Sequence, residues 1–225
     1  MLNNKEAVIF DMDGSLVDSM WVWKDIDTEY LSRFGLTVPD DLGQLIEGMS
    51  FTETAMYFKE RFGLERPLEL IKADWNEMAW EKYRTEVMLK PGARELLDHC
   101  RRHGIKLGIA TSNSRQLVDM VMRARGVFDY FSSIMTSCEA KKGKPAPDIY
   151  LMTAKQLAVK PENCLVFEDI IFGIQAGKAA GMEVCAVEDD YSAYQREEKR
   201  RLADYYINDY TEIEEVQAML RVNAC

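Results

Sequence analysis

Two aspartates, Asp11 and Asp13, stand two residues apart directly after a short apolar run, Ala7 to Phe10, and are followed by Gly14 and Ser15. A run so short and continuous suits a strand buried on both faces of a parallel sheet. Residues i and i+2 of a strand point to the same side, so the two carboxylates should crowd together where the strand ends. A divalent cation would relieve their repulsion. Gly14 lets the chain turn sharply out of the sheet. An acidic turn would use the same residues, as would a calcium loop. A calcium loop of the EF-hand kind, however, needs a Glu at its twelfth position, which counted from Asp11 is Val22.

Two later stretches also place polar groups after a strand-like run. Thr111-Ser112-Asn113 follows Ile105 to Ala110, and Glu168-Asp169 follows Cys164 to Phe167. Open α/β sheets bind ligands beyond the carboxyl ends of their strands, so the three clusters should converge at one edge. Between the second and third lies Lys141-Lys142-Gly143-Lys144-Pro145-Ala146-Pro147-Asp148. Lys141 and Lys142 read as a solvated charge run. Lys144, stiffened by the two prolines, reads as the cation that the carboxylates need.

Four stretches in order, DMDGSLVDS, IATSNS, KGKPAPDIY and VFEDIIFGIQAGKAAGM, span most of the chain. Together they resemble the haloacid dehalogenase-type (HAD) phosphohydrolases, in particular the β-phosphoglucomutase-like group. The resemblance implies that Asp11 is a nucleophile forming an aspartyl-phosphate, and that Asp13 is the acid/base that protonates the leaving oxygen and later activates water. It implies a magnesium ion, Mg²⁺, held by Asp11, the backbone carbonyl of Asp13 and Asp169, with Glu168 binding directly or through water. An all-oxygen set suits that ion. Thr111 and Lys144 would hold the phosphoryl oxygens, with N–H donors added by the backbone around Met12, Ser112 and Asn113.

The same resemblance sorts the chemistry. Relatives that cleave carbon–halogen or carbon–phosphorus bonds typically lack an aspartate at position 13, so a phosphate ester or anhydride is expected. The mutase branch uses a cap histidine and a cap arginine; the matching positions here are Trp23 and Phe51, and residues 16–88 contain no histidine. A simple hydrolase of a small phosphorylated metabolite, a sugar or polyol phosphate, is therefore expected. The rival readings are a mutase-type phosphotransferase and a non-catalytic binding protein. Ile170 departs from the hydroxyl residue that many relatives carry after Glu-Asp.

The elements that must position these groups follow from periodicity. Met20, Trp23, Ile26, Asp27, Tyr30, Leu31 and Phe34 keep a helical period. Ser50 and Glu53 form a capping box for a second helix ending at Gly63. Pro67 fits the first turn of a third helix. Residues 16–88 thus form an all-helical unit, which the resemblance makes a mobile cap. Its residues near the hinge, Ser19, Trp21, Trp23 and Met49, are candidates to select the substrate.

From residue 89 strands and helices alternate. A helix opens at Pro91 and ends at Gly104; others follow Ser114 and Pro147; a small-residue helix follows Asp169; a last helix covers about 211 to 222. The fold class expected is α/β, a Rossmann-like parallel sheet core (residues 1–15 and 89–225) with the helical cap inserted at 16–88.

Composition is consistent with this. Of 225 residues 47% are hydrophobic and 29% charged, ordinary for a globular chain, and the net charge is −10. With no basic run longer than Lys199-Arg200-Arg201, neither nucleic acid nor an anionic membrane is an expected partner. No apolar run reaches the roughly 20 residues of a membrane span, and no signal peptide is visible. Five scattered cysteines, Cys100, Cys138, Cys164, Cys185 and Cys225, fit free thiols in a cytoplasmic protein. His99 and His103 are the only histidines and read as a solvated helix end.

Overall fold

The computed structural model of the chain describes residues 1–140 and 142–223, with side chains through Arg221. Lys141 and Cys225, named above, lie outside the described residues. A six-stranded parallel sheet forms the centre. Its strands are β1 (Ala7–Phe10), β4 (Lys106–Thr111), β5 (Phe131–Thr136), β6 (Cys164–Glu168), β7 (Glu183–Val187) and β8 (Tyr205–Ile207), in the order β5-β4-β1-β6-β7-β8. The intervening numbers belong to a two-residue antiparallel ribbon, β2 (Val17–Asp18) with β3 (Met88–Leu89).

The continuous apolar run of β1 hides a period of two. Val8 and Phe10 belong to the apolar core on one face of the sheet, Ala7 and Ile9 to that on the other. β6 divides in the same way, with Leu165 and Phe167 opposite Cys164 and Val166. Helices α5 (Ala93–Arg102), α6 (Arg115–Ala124) and α11 (Glu214–Asn223) cover the first face with Leu96, Leu117 and Val216. On the second lie α8 (Asp148–Leu157) and α9 (Ile171–Ala179), through Ile149, Ala154 and Ile174. Burial on both faces is why no polar alternation marks these strands.

Between β2 and β3 the chain forms α1 (Met20–Ser32), α2 (Leu42–Ile46), α3 (Phe51–Arg61) and α4 (Leu68–Thr85). The capping box of Ser50 and Glu53 is present at α3, with the Glu53 N–H donating to Ser50 Oγ and the Ser50 N–H to Glu53 Oε2. Trp75 sits at the middle of the packing, its ring edge-on to Tyr30, Phe51 and Phe58. Such tilted aromatic pairs add to burial. The apolar cluster on the first face of the sheet continues through Leu16 and Val17 into this helical segment.

Some element boundaries differ from expectation. Pro67 is the residue before α4, its carbonyl accepting from the N–H groups of Leu70 and Ile71. The helix expected at Pro91 starts at Ala93, because Gly92 is left-handed at φ 76°. An added Cβ on Gly92 would lie 2.6 Å from the Thr211 nitrogen, so the two segments meet there without room for a side chain. The last helix starts at Glu214, after a turn in which Asp209 caps Thr211. The short elements α2, α7 (Ser137–Ala140), α10 (Arg196–Leu202) and the ribbon are too brief for a period to announce.

Candidate active site

The register brings the three polar clusters to one sheet edge. Phe10 pairs with Ile109 on one side and Phe167 on the other, so Asp11 emerges level with Glu168 and with Ala110, and Thr111 follows one residue further along the same edge. The Asp11 N–H donates to the Phe167 carbonyl at 2.9 Å, extending the ladder one residue past the strand.

Lys144 lies between two of the carboxylates. Its Nζ donates to Asp11 Oδ1 and to Glu168 Oε1, and the lysine is 6% exposed. Glu168 is fully buried; Tyr150 OH donates to its Oε1, and the Asp169 N–H to its Oε2 at 3.1 Å. Asp169 is also buried. Carboxylate oxygens of Asp11, Glu168 and Asp169 lie within 4.8 Å of one another.

The crowding expected of Asp11 and Asp13 takes a different form. Asp11 is pushed up to about 8, by burial first, against the pull of Lys144, with the Glu168 charge adding more than that of Asp13. Asp169 is raised well above the ordinary carboxylate range by burial and by the charges of Asp11 and Glu168. The Asp13 carboxylate instead turns to three donors. Ser19 Oγ donates to its Oδ1 at 2.5 Å, Tyr83 OH to the same oxygen, and Asn113 Nδ2 to its Oδ2 at 2.8 Å. Burial raises Asp13, and these bonds work against the rise. Burial would lower Lys144, but its two carboxylate partners outweigh that and raise it.

Three buried carboxylates with one ammonium leave an excess of negative charge, which adds to burial in raising Asp11 and Asp169. An all-oxygen donor set in that condition fits a divalent cation, held by Asp11 and Asp169 with Glu168 beside them. Gly14 is left-handed at φ 78°, and a Cβ there would collide with Asp169 Oδ2, so the turn after Asp13 has room only for glycine.

The remaining expected residues are close by. Thr111 is 1% exposed, and its Oγ1 accepts from the Asn113 N–H at 3.1 Å. The Ser112 carbonyl accepts from the Phe51 N–H at 3.0 Å, and its hydroxyl lies 3.4 Å from that of Ser137. Asp11, Asp13, Thr111, Ser112, Asn113, Lys144 and Asp169 all line one cleft. Glu168 stands behind Lys144 and does not line it.

The opposite wall of the cleft comes from the helical segment: Met20, Trp23, Asp27, Met49, Phe51 and Trp75. Of the candidates near the hinge, Ser19 bonds Asp13, and Trp23 and Met49 line the cleft. Trp21 does not: it is 37% exposed, its Nε1–H donates to the Asp18 carbonyl, and Lys82 lies over its ring. Trp23 and Phe51, at the mutase positions, pack edge-on at 5.9 Å, and the Trp23 N–H donates to Tyr83 OH at 2.8 Å. Ile170 lines the cleft and precedes α9.

Sequence reasoning missed Tyr83, which sits among the buried positions of α4 and gives no outward sign of polar work. It also missed the groups behind Asp169. Ser192 Oγ donates to the Asp169 carbonyl at 2.8 Å, the fully buried Lys199 donates to Ser192 Oγ at 3.0 Å, and Lys90 pairs with Asp189 at 2.9 Å. A buried lysine in a charge run is legible only once its helix is placed.

A family model for haloacid dehalogenase-like hydrolases matches residues 8–187. The chain belongs to that family. It is 33% identical over 178 residues to the phosphorylated carbohydrates phosphatase of Thermotoga maritima, covering 79% of this chain and 82% of the relative. It is also 33% identical over 182 residues to the bifunctional riboflavin kinase/FMN phosphatase of Arabidopsis thaliana, covering 80% of this chain but only 48% of that longer protein. The crystal structure of β-phosphoglucomutase from Clostridium difficile superposes with a TM-score of 0.79 at 24% identity, covering 98% of both chains, which shows a shared fold. The expected fold class and family resemblance are borne out, as is the enzyme class, a phosphoric monoester hydrolase.

Proposed function

We propose that this HAD-family member is a Mg²⁺-dependent phosphatase that hydrolyses a small phosphorylated metabolite, a sugar or polyol phosphate, through an aspartyl-phosphate. The observation that carries the reading is the unlike treatment of two neighbouring aspartates. Asp11 is paired with a buried cation at the cleft floor, whereas Asp13 is held by neutral donors.

In this reading Asp11 attacks phosphorus, and Lys144 and Thr111 hold the phosphoryl oxygens. Asp13, whose carboxyl burial pushes up, gives a proton to the leaving alcohol. Its carboxylate, steadied by Ser19, Tyr83 and Asn113, then takes a proton from the water that releases phosphate. Asp11, Asp169, the Asp13 carbonyl and Glu168, directly or through water, would hold Mg²⁺, with Ser112 and Asn113 beside the phosphate. When bound, the ion supplies positive charge at the phosphoryl oxygens and offsets the carboxylates. The helical segment, residues 16–88, acts as a cap over the core of 1–15 and 89–225, and its closure excludes water. In this reading the enzyme is cytoplasmic, a compartment in which its free thiols would stay reduced.

Acetyl phosphate, whose leaving group needs little protonation, tests the two roles. Asp13→Asn should accumulate a phosphoenzyme, seen as an added phosphate by mass spectrometry, with turnover down by ~10²–10⁴-fold. Asp11→Asn should form none. Phosphorylation of Asp11→Asn at the active site would sink the assignment. EDTA should abolish turnover and added Mg²⁺ restore it; full activity after exhaustive chelation would refute the metal's role. The mutase reading is disfavoured by Trp23 and Phe51, and free phosphate measured against isomerised sugar phosphate separates the two.

A further inference from the structure

The cap side of the cleft has a charge pattern that the phosphatase reading does not use. Among the described residues lining the cleft, Lys144 is the one cation, and it is committed to Asp11 and Glu168. Away from the catalytic floor the wall offers aromatic faces, Trp23, Phe51 and Trp75, and two carboxylates, Asp27 and Glu47. Glu47 is held by Gln195 Nε2 at 2.6 Å and Tyr194 OH at 3.0 Å.

Asp27 differs. It projects from α1 into the cleft wall and makes no hydrogen bond or ion pair with any described residue. Burial alone pushes its carboxyl up to about 7. In the same wall the indole N–H of Trp75, a residue 2% exposed, also lacks a partner. Unsatisfied polar groups in an apolar wall are costly, and a ligand that satisfies them gains affinity.

We propose that this wall selects phosphate monoesters of small, uncharged, hydroxyl-bearing alcohols and rejects esters with a second anionic group, with Asp27 as the selecting residue. The proposal rests on the phosphatase reading and narrows its substrate class. A second phosphate would lie among aromatic rings beside Asp27 and Glu47 with no cation to receive it, and like charges so placed oppose binding. In its protonated form Asp27 offers one donor and no counter-charge, so the second anion would still be buried unpaired. A sugar hydroxyl, by contrast, can donate to Asp27 while a ring face lies on Trp23 or Phe51. The cleft holds about 170 Å³, near the ~150 Å³ of an engineered cavity that accepts benzene, which suits a small molecule.

Phosphate release from matched pairs tests this, glucose 6-phosphate against glucose 1,6-bisphosphate and fructose 6-phosphate against fructose 1,6-bisphosphate. The wild-type enzyme should favour each monophosphate in kcat/KM by about tenfold or more. Asp27→Asn should shrink that ratio, and Asp27→Lys should shrink it further. Equal or better use of the bisphosphates by the wild type would overturn the inference and leave the phosphatase reading standing, whether or not either variant folds. An unchanged ratio in a folded Asp27→Asn would overturn the role of Asp27. No phosphate release from any ester, with no phosphoenzyme from acetyl phosphate, would overturn both readings.

Discussion

Tyr83 is buried in α4 and Asp27 is half-buried where α1 lines the cleft, and each carries a polar group that faces away from its own helix. The Tyr83 hydroxyl, in a fully buried residue, accepts from Trp23 and donates to Asp13, so an aromatic of the helical segment and an aspartate at the sheet edge share one hydrogen-bonded chain. A hydrogen bond to a charged group contributes about 1.5–3 kcal/mol. Tyr83→Phe should therefore lower kcat for alkyl phosphate esters by roughly tenfold or more. The loss should be smaller for p-nitrophenyl phosphate, which depends less on proton transfer to its leaving group. Equal losses on both would mean that the hydroxyl has a structural role only. Asp27 gives a pH effect of definite sign. Its carboxyl rises from 3.8 to about 7 through burial, so the folded state keeps a proton that the unfolded chain releases. Stability on its account falls as pH rises through that window, and the penalty is complete above about 7. Asp27→Asn removes it. The variant should be more stable above neutrality, by at most ~4 kcal/mol, and no more stable below the ordinary carboxylate range. Urea unfolding at both ends of the window checks this.

Strands, helices and loops were legible in the sequence to the degree that a period or a terminator marks them. The strands that carry the site each end an apolar run on polar residues, and Ser50 and Ser114 cap helices as their spacing requires. That pattern reached Asp11, Asp13, Thr111, Glu168 and Asp169, and the proline-flanked segment between the last two of these strands added Lys144; the cleft brings all of these together except Glu168, which stands behind Lys144. It did not reach Tyr83, because a buried hydroxyl on an apolar stripe looks like packing until the facing element is known. Lys199 was hidden for the same reason, on a seven-residue helix too short to show a face. One element contact offers a sharp test. In α9 a Cβ on Gly173 would collide with the Glu168 carboxylate, so the helix approaches β6 only because that side chain is absent. Gly173→Ala should cost about 1–3 kcal/mol of stability by overpacking. It should also displace Glu168 from Lys144 and so lower turnover in protein that remains folded. Thermal unfolding and phosphate release, measured on the same preparation, separate the two effects.

At the scale of the whole molecule the helical segment is drawn down onto the sheet edge. The Phe51 N–H reaches the Ser112 carbonyl, Ser114 Oγ donates to Asn76 Oδ1 at 2.5 Å, and Gln195 holds Glu47, besides the contact of Tyr83 with Asp13. Each bond joins 20–85 to the remainder, and opening the cleft must break them together. All four tryptophans lie in that segment, and Trp23 and Trp75 line the cleft. Vanadate with Mg²⁺ should therefore shift intrinsic fluorescence, and Trp23→Phe with Trp75→Phe should abolish most of the shift. The strand order has a consequence for biosynthesis. β1 is made first but lies in the middle of the sheet, and neither of its neighbours exists until residue 106 on one side and residue 164 on the other. At about 5–20 residues per second, roughly 8–30 s separate β1 from β6 during translation. Helices α1 to α8 emerge during that interval, so a nascent chain halted before β6 carries an apolar strand still open along one edge. On a stalled ribosome that chain should recruit chaperones until Glu168 has cleared the exit tunnel, and release them afterwards.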